Sequence, residues 1–333
     1  MNPHVPILLL VLLAGAQAAP PRDNILVHGV TISCQTWGWE WGRPELDAEL
    51  DDLSGLGVNW IAIHPSAQIH RNGRLTWRPI DPEDPPPRIT RPIAEAHRRG
   101  MSILIKPHLS YWGSGFSWRG AIDFGPEARA RFFEDYRTWI GTVAAASRGA
   151  DAFVVGTELD RLVDAEDEWR RTVAVVRERF DGALTYAANW NAVERIPFWD
   201  ALDAVGVQGY FPLSEADAPT EKDLRAGWER VLERLRAVHE ECGKPVVFTE
   251  LGYTRSLAAA RMPWEARVAA PADAERAERL QLLCLRTGLD VLERESEWLR
   301  GCFLWKWFVG EPDGPDFLLD TPAVRSVMSA AWR

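Results

Sequence analysis

"FVVGTELDRL" (residues 153–162) opens with three apolar, β-prone residues and closes that run with a Gly-Thr-Glu sequence that ends at Glu158. "PVVFTELGY" (residues 245–253) has a similar pattern, in which Glu250 follows a threonine at the end of the apolar run. A short continuous apolar run of this kind is typical of a parallel strand that is covered on both faces. The repeated pattern therefore predicts two buried strands, each with a glutamate at its carboxyl end.

Strand-like segments recur along the chain, and helix-like segments fill nearly every gap between them. The strands are predicted at residues 25–32, 58–65, 102–109, 151–158, 183–190, 203–211, 244–253 and 299–310. The helices are predicted at residues 43–57, 88–100, 125–149, 166–182, 220–243 and 273–295, with a short one around 197–202. Strands that alternate with helices indicate βαβ units and a parallel sheet. Eight such units predict an α/β fold, a (β/α)8 TIM barrel in one domain over residues 19–333.

The charge and the cysteines of the chain exclude several other classes of protein. The 333 residues carry a formal net charge of −10, whereas nucleic acids and anionic membranes attract basic surfaces. The four cysteines have no CxxC spacing, which favours buried free thiols over a zinc site. No GxGxxG sequence follows the first strand, which argues against a dinucleotide fold. We expect a monomer with no metal and no other cofactor.

The amino terminus has the pattern of an export signal. Its apolar stretch at residues 7–13 is too short to span a bilayer, and Ala16 and Ala18 form an A-x-A cleavage pattern. We expect residues 1–18 to be a signal peptide that is removed, which leaves a secreted or periplasmic protein without an integral membrane span. The absence of Lys and Arg before the apolar stretch leaves a tethered or uncleaved segment as the alternative.

Catalytic groups of a TIM barrel stand at the carboxyl ends of its strands. Glu158 ends the fourth predicted strand and Glu250 ends the seventh, so both carboxylates are expected to face the same mouth. Two carboxyl groups that face each other across a cleft are typical of a glycosidase, because one protonates the leaving oxygen and the other attacks the anomeric carbon. Taken alone, either glutamate fits a solvated rim carboxylate or the partner of an arginine as well as it fits a catalytic role; the matched placement of the two favours the catalytic role.

Other strand ends carry residue types that bind sugars. Aromatic faces stack on the C–H faces of pyranose rings, while amides and charged donors bind hydroxyls. The candidate substrate-binding residues are Trp37, His64, Lys106, His108, Trp112, Trp118, Asn189, Trp190, Tyr210, Trp305 and Trp307. The histidines and Lys106 lack the spacing of a zinc triad, and Lys106 also fits a network inside the barrel. The tryptophans at helix positions are expected to be core residues; these include Trp139, Trp169, Trp228 and Trp298.

Seven stretches from the third strand to the eighth carry a resemblance to a known family: "IKPHLSYW", "WRGAI", "VGTEL", "LTYAANW", "FWDALDAVGVQGYFPL", "KPVVFTELGY" and "GCFLWKWF", in that order. Together they resemble glycoside hydrolase family 113, whose characterised members are β-mannanases. The resemblance implies that Glu158 is the general acid/base and that Glu250 is the nucleophile. It also implies that the subsite beside them is lined by Asn189, Trp190, Tyr210 and Trp307.

The family belongs to a large clan of retaining (β/α)8 glycosidases. One position of this sequence departs from the pattern of that clan, in which an asparagine often precedes the acid/base and contacts the sugar 2-hydroxyl. Thr157 stands there in this sequence, so another side chain, such as Asn189, must make that contact. The choice between manno- and gluco-configured substrates is therefore left open.

The mechanism that the resemblance implies is a double displacement with retained configuration, for which carboxyl groups about 5–5.5 Å apart are expected. Tyr210, at the end of the sixth strand, is a candidate to hydrogen-bond Glu250 and hold it ionised. An endo-β-1,4-mannanase acting on an oligo- or polysaccharide is the main hypothesis. A β-glucanase, an exo-glycosidase and a non-catalytic carbohydrate-binding barrel are the alternatives.

Overall fold

The structure, a computed structural model, describes residues 26–312 and 314–333 and contains a closed barrel of eight parallel strands in chain order. The barrel strands are β1 (Val27–Ser33), β2 (Trp60–Ile63), β3 (Ser102–Ile105), β4 (Ala152–Thr157), β5 (Ala183–Asn189), β6 (Ala204–Gln208), β7 (Val246–Leu251) and β8 (Leu299–Phe308). This confirms the predicted single-domain (β/α)8 barrel. The proposed signal peptide, residues 1–18, lies outside the described residues.

Helices follow seven of the eight barrel strands. They are α1 (Leu46–Gly55), α2 (Pro87–Arg98), α3 (Pro126–Ala146), α4 (Glu166–Arg177), α5 (Glu221–Cys242), α6 (Ala274–Arg294) and α7 (Pro322–Trp332). The short helix expected around residues 197–202 is a single 3-10 turn, Trp199–Ala201, and a second such turn precedes it at Val193–Arg195.

The helix after β8, α7, was not predicted from the sequence, although its start is marked there. Pro322 occupies the first turn, where a missing N–H costs nothing, and the side chain of Thr321 accepts a hydrogen bond from the backbone of Val324.

The apolar character of the strands follows from burial on two sides. Inside the barrel, a small cluster joins residues of five strands, namely Ala62, Leu104, Val154, Ala187 and Phe303. The neighbouring residues Phe153 and Val155 of β4 belong instead to the larger core formed with the helices. Gly156 follows them because a Cβ there would come within 2.7 Å of the rings of Trp169 and Tyr186. Both faces of β4 are therefore packed, as the uninterrupted apolar run predicts.

The third predicted strand, residues 102–109, is two strands in the structure. β3 ends at Ile105, and His108–Ser110 pairs in parallel with Ser66–Ile69 in a separate three-stranded sheet that Leu75–Trp77 completes. Pro107 lies between the two segments and has no N–H to donate to a ladder, which fits the break at this point. Two strands of this small sheet directly follow β2 and β3 in the chain, so the sheet lies beyond the carboxyl ends of those barrel strands.

The helix tryptophans are core residues, as expected. Trp139, Trp169 and Trp228 are fully buried, and Trp298, in the turn before β8, is nearly so. All four cysteines are free thiols, and Cys284 and Cys302 are buried. Among the described residues, no helix has the length and apolar character needed to cross a membrane.

Candidate active site

The carboxyl ends of the strands surround a cavity of about 500 Å³, and both glutamates of the repeated pattern line it. The lining residues come from the ends of β3 to β8 and from the loops that follow them. They are Tyr111, Trp118, Arg119, Glu158, Asn189, Trp190, Asn191, Tyr210, Glu250, Trp264, Trp305 and Phe317. Glu158 and Glu250, remote in the chain, therefore share one concave site.

Glu158 leaves the end of β4 with an unusual backbone conformation. Its φ angle of 55° is left-handed, which costs a non-glycine residue about 1–2 kcal/mol. The backbone N–H still donates to the carbonyl of Ala187 on β5 at 2.9 Å, so the strand pairing extends to this residue. Phe317, with a φ of 52°, is the other non-glycine residue with positive φ in the described part, and it also lines the cavity. Backbone strain of this kind concentrates at functional sites.

Arg119 binds the carboxylate of Glu158 from the loop after β3. Its Nε and Nη2 atoms both donate to Oε2 of Glu158, at 2.9 and 2.6 Å. Burial would lower the pKa of Arg119, but the negative charges of Glu158 and Glu250 outweigh it and raise the pKa. Arg119 is thus a fixed cation beside both carboxylates.

Glu250 lies deeper and is held by a different set of groups. It is 3% exposed, forms an ion pair with the fully buried Lys106, and accepts a hydrogen bond from the Tyr210 hydroxyl at 2.5 Å. Burial alone would raise the pKa of Glu250, but the charge and hydrogen bond of Lys106, together with the hydrogen bond of Tyr210, lower it. The hydrogen bond predicted between Tyr210 and Glu250 is therefore present, and Glu250 is held ionised.

His64 and His108 lie behind the cavity wall. Their rings stack on each other at 4.9 Å and lie 5.6 and 6.0 Å from the ring of Trp305, which lines the cavity. Burial, followed by the charge of Lys106, lowers the pKa of His64 to about 3, so the ring is neutral near pH 7. Within the described ranges, no group of three or more possible metal ligands is present.

The structure brings seven of the predicted site residues onto the cavity surface: Trp118, Glu158, Asn189, Trp190, Tyr210, Glu250 and Trp305. Lys106, His64 and His108 are buried against members of this set rather than exposed to the cavity. Trp37, Trp112 and Trp307 are not on the cavity surface.

Trp37 and Trp112 lie away from the cavity. The guanidinium of Arg78 lies 5.1 Å from the ring of Trp37, which borders a separate, very small cleft next to Trp41. Trp112 is 74% exposed and stacks on Tyr111 at 4.8 Å, so Tyr111 rather than Trp112 meets the cavity.

Trp307 is a packing residue, which corrects the expectation that it lines the subsite. Its indole N–H donates to Glu49 of α1 at 2.8 Å, and Arg325 of α7 lies over its ring. Two residues apart on a regular strand, Trp305 and Trp307 would share a face. The register with β1 shifts by one residue between them, since Thr31 pairs with Trp305 and the next residue pairs with Trp307. This irregularity sends the second indole outward.

Thr157, which replaces the expected asparagine, does not point into the cavity. Its hydroxyl donates to the carbonyl of Pro107 at 3.1 Å, and the residue is buried. Asn189 does line the cavity, and its amide oxygen accepts a hydrogen bond from the backbone of Trp190 at 3.0 Å. Of these two positions, only Asn189 is placed to meet a ligand.

Five lining residues were not identified from the sequence: Tyr111, Arg119, Asn191, Trp264 and Phe317. Three of them, Tyr111, Arg119 and Asn191, are each one position away from a predicted tryptophan. Including the sequence neighbours of those tryptophans would have identified them. Trp264 and Phe317 lie in the long loops after β7 and β8, and no sequence signal marks them.

The arrangement combines a buried ionised carboxylate, a second carboxylate beside a cation, and aromatic walls in one barrel mouth. Such a pair can act on a glycosidic bond from two sides, which is the requirement for breaking it. Fold and site together define a glycoside hydrolase.

Comparisons with known proteins agree with this class. The sequence matches the model of Glycoside Hydrolase Family 113 over residues 31–312, most of the chain, and the protein belongs to that family. No curated protein gives a significant sequence match.

Solved structures share the fold. A GH113 β-1,4-mannanase solved as a complex superposes with a TM-score of 0.79 at 20% identity, covering 92% of this chain and 99% of its own. The GH113 β-mannanase AaManA from Alicyclobacillus acidocaldarius gives 0.78 at 22% identity, covering 93% and 98%. A β-glucuronidase from Ruminococcus gnavus gives 0.60 at 13% identity, covering 93% of this chain but 50% of its own.

Proposed function

We propose that the protein is an endo-β-1,4-mannanase that works by double displacement, with Glu250 as nucleophile and Glu158 as general acid/base. The observation that carries the proposal is the contrast between the two carboxylates in one cavity. Glu250 is buried between Lys106 and Tyr210, which favour its ionised form. Glu158 is nearer the solvent and keeps Oε1 without a bond to Arg119, since both guanidinium hydrogen bonds go to Oε2.

In the first step, Glu250 attacks the anomeric carbon while Glu158 gives its proton to the departing glycosidic oxygen. The result is a glycosyl ester on Glu250 and a free reducing-side product. In the second step, Glu158 takes a proton from water, and the water oxygen attacks the same carbon and displaces Glu250. The two inversions leave the configuration as it began, and both carboxyl groups return to their starting protonation states.

The charges in the cavity favour a neutral glycan over one that carries carboxylates. Glu158 and Glu250 are both acidic, and Arg119, the cationic residue on the cavity surface, is already bound to Glu158. A uronic acid would bring a further negative charge to this site without a free cation on the described cavity surface to meet it. Mannan is uncharged, and the two GH113 structures that share this fold are β-mannanases, which supports mannan as the substrate.

A panel of polysaccharides tests the substrate. We expect the purified protein to release oligosaccharides of several lengths from β-mannan and glucomannan, and much less from xylan or β-glucan. Product sizes measured by mass spectrometry separate endo from exo action, because an exo-enzyme releases one small product throughout. Preferred cleavage of β-glucan would support the β-glucanase alternative, and cleavage of none of the four would contradict the proposed function.

Tyr210→Phe is expected to move the acidic limb of the kcat/KM profile to higher pH. Glu250 must be ionised to attack, and its pKa is lowered in part by the hydroxyl of Tyr210. Without that hydrogen bond the pKa rises, so a larger fraction of the enzyme is protonated and inactive at low pH. Initial rates from pH 3 to 8 measure the shift.

The matched control is Tyr136→Phe, which also removes a buried tyrosine hydroxyl. Tyr136 donates to the carbonyl of Val155 and does not line the cavity. We expect a loss of stability from this control but no change in the acidic limb. An acidic limb that stays in place in Tyr210→Phe would remove Tyr210 from its proposed role.

A further inference from the structure

Four large aromatic side chains are strongly exposed in the described part of the chain: Trp39, Trp112, Trp118 and Trp264, with exposed fractions of 43%, 74%, 37% and 46%. Only Trp118 and Trp264 of these border the cavity. Trp118 belongs to the loop after β3, and Trp264 belongs to the loop after β7. The two exposed indoles that line the cavity therefore come from different loops. Trp39 and Trp112 are isolated exposed tryptophans away from the cavity, and such residues need no functional explanation.

Trp264 is stacked on a second cavity residue. Its ring is nearly parallel to that of Trp190, at 10°, and the ring centroids are 5.7 Å apart. Trp190 follows β5 and is half-buried, so the pair joins two loops across the rim. The stack forms an apolar wall in which one face of each indole is covered by the other, so an outer face of the stack is the flat surface left for the C–H face of a pyranose ring.

The loop that carries Trp264 is tied to its surroundings by backbone hydrogen bonds. The carbonyl of Ala260 accepts from Leu213 at 2.7 Å and from Ser214 at 3.2 Å, both in the loop after β6. A turn from Met262 to Glu265, with a 2.9 Å hydrogen bond, encloses the tryptophan. An indole that is held in place before binding loses little entropy when a ligand stacks on it.

Polar groups complete this side of the cavity. Asn191, next to Trp190, is exposed and lines the same surface, so its amide can bind sugar hydroxyls beside the stacking face. The wall itself carries no charge, which suits a neutral sugar.

We propose that the Trp190–Trp264 pair binds a second pyranose ring of the substrate, next to the ring whose bond is cleaved, and that Trp264 makes the enzyme selective for glycan chains over single glycosides. The inference rests on the proposed function, since it names how that site distinguishes substrates by length. The substrate class is a neutral chain of at least two β-linked hexopyranoses.

The test compares wild type and Trp264→Ala on β-1,4-manno-oligosaccharides of two to six residues and on 4-nitrophenyl β-mannoside. In wild type, kcat/KM is expected to rise with chain length. In Trp264→Ala, the value for the longest chains falls by about tenfold, mainly through a higher KM, and the loss on the aryl glycoside is smaller. Trp264→Phe keeps an aromatic face and recovers part of the loss.

Trp39→Ala is the matched control, because Trp39 is exposed to a similar degree but does not border the cavity. We expect the same chain-length dependence as in wild type, and thermal unfolding of each variant confirms that it folds. An equal loss on all substrates, or no loss with Trp264→Ala, would overturn the inference while leaving the proposed function standing. A wild-type enzyme that cleaves none of these probes would contradict both.

Discussion

Glu250→Gln is expected to lower kcat on mannan by about 10⁴-fold or more, the order of loss when a catalytic nucleophile is removed from a hydrolase. The amide has nearly the shape of the carboxylate but cannot form the glycosyl ester. Tyr210 can still donate a hydrogen bond at this position, whereas Lys106 loses the charge that it is paired with. Reducing-sugar release under saturating substrate measures the effect.

Two controls separate chemistry from folding in this experiment. Glu241→Gln changes an exposed glutamate of α5 and should leave kcat unchanged. The double variant Lys106→Met/Glu250→Gln removes both buried charges, so it should unfold at a higher temperature than Glu250→Gln and remain inactive. A Glu250→Gln variant that keeps more than about a tenth of the wild-type kcat would contradict the role of Glu250 as nucleophile.

Glu158→Gln is expected to lower kcat/KM on mannan by about 10²- to 10⁴-fold, the range for loss of a general acid/base. The size of the loss depends on the leaving group, because a departing phenolate of low basicity needs no proton. With 2,4-dinitrophenyl β-mannoside, the glycosyl ester on Glu250 should still form rapidly and then accumulate, since no base activates water. A burst of dinitrophenolate followed by a slow steady state is the expected record.

Azide distinguishes the two glutamates by the product that it forms. In Glu158→Ala, the anion enters the space of the lost carboxylate and attacks the glycosyl ester, so turnover recovers and a β-glycosyl azide appears. In Glu250→Ala, azide replaces the nucleophile and gives an α-glycosyl azide from an activated β-glycoside. NMR of the isolated products decides between them. An equal loss with natural and activated substrates in Glu158→Gln, together with no rescue of Glu158→Ala by azide, would exclude the acid/base role.

The barrel was predictable because its signals are local. Each strand is a short apolar run, and β4 shows why, since Phe153 and Val155 pack against the helices while Val154 packs inside the barrel. The rule that parallel strands end in the same mouth then brings Glu158 and Glu250 together without knowledge of any distance. The same rule placed Asn189 and Tyr210 correctly on the cavity surface.

The parts of the site that were missed depend on interactions that the strand pattern does not encode. Trp307 was expected on the cavity side from its place at the end of the eighth strand and from the family resemblance, but the shift in register on β8 turns its side chain outward. Arg119, Trp264 and Phe317 stand in long loops, whose paths are set by tertiary contacts such as the hydrogen bonds to Ala260. Phe317 also needs a left-handed backbone that nothing in its residue type indicates.

The central claim is that Glu250 becomes covalently bound to the sugar during turnover. The most direct measurement is to inactivate the enzyme with 2-deoxy-2-fluoro-β-mannosyl fluoride, digest it, and locate the added mass by tandem mass spectrometry. We expect one sugar per chain, attached to Glu250 within "PVVFTELGY". Attachment to Glu158 or to any other carboxylate would contradict it.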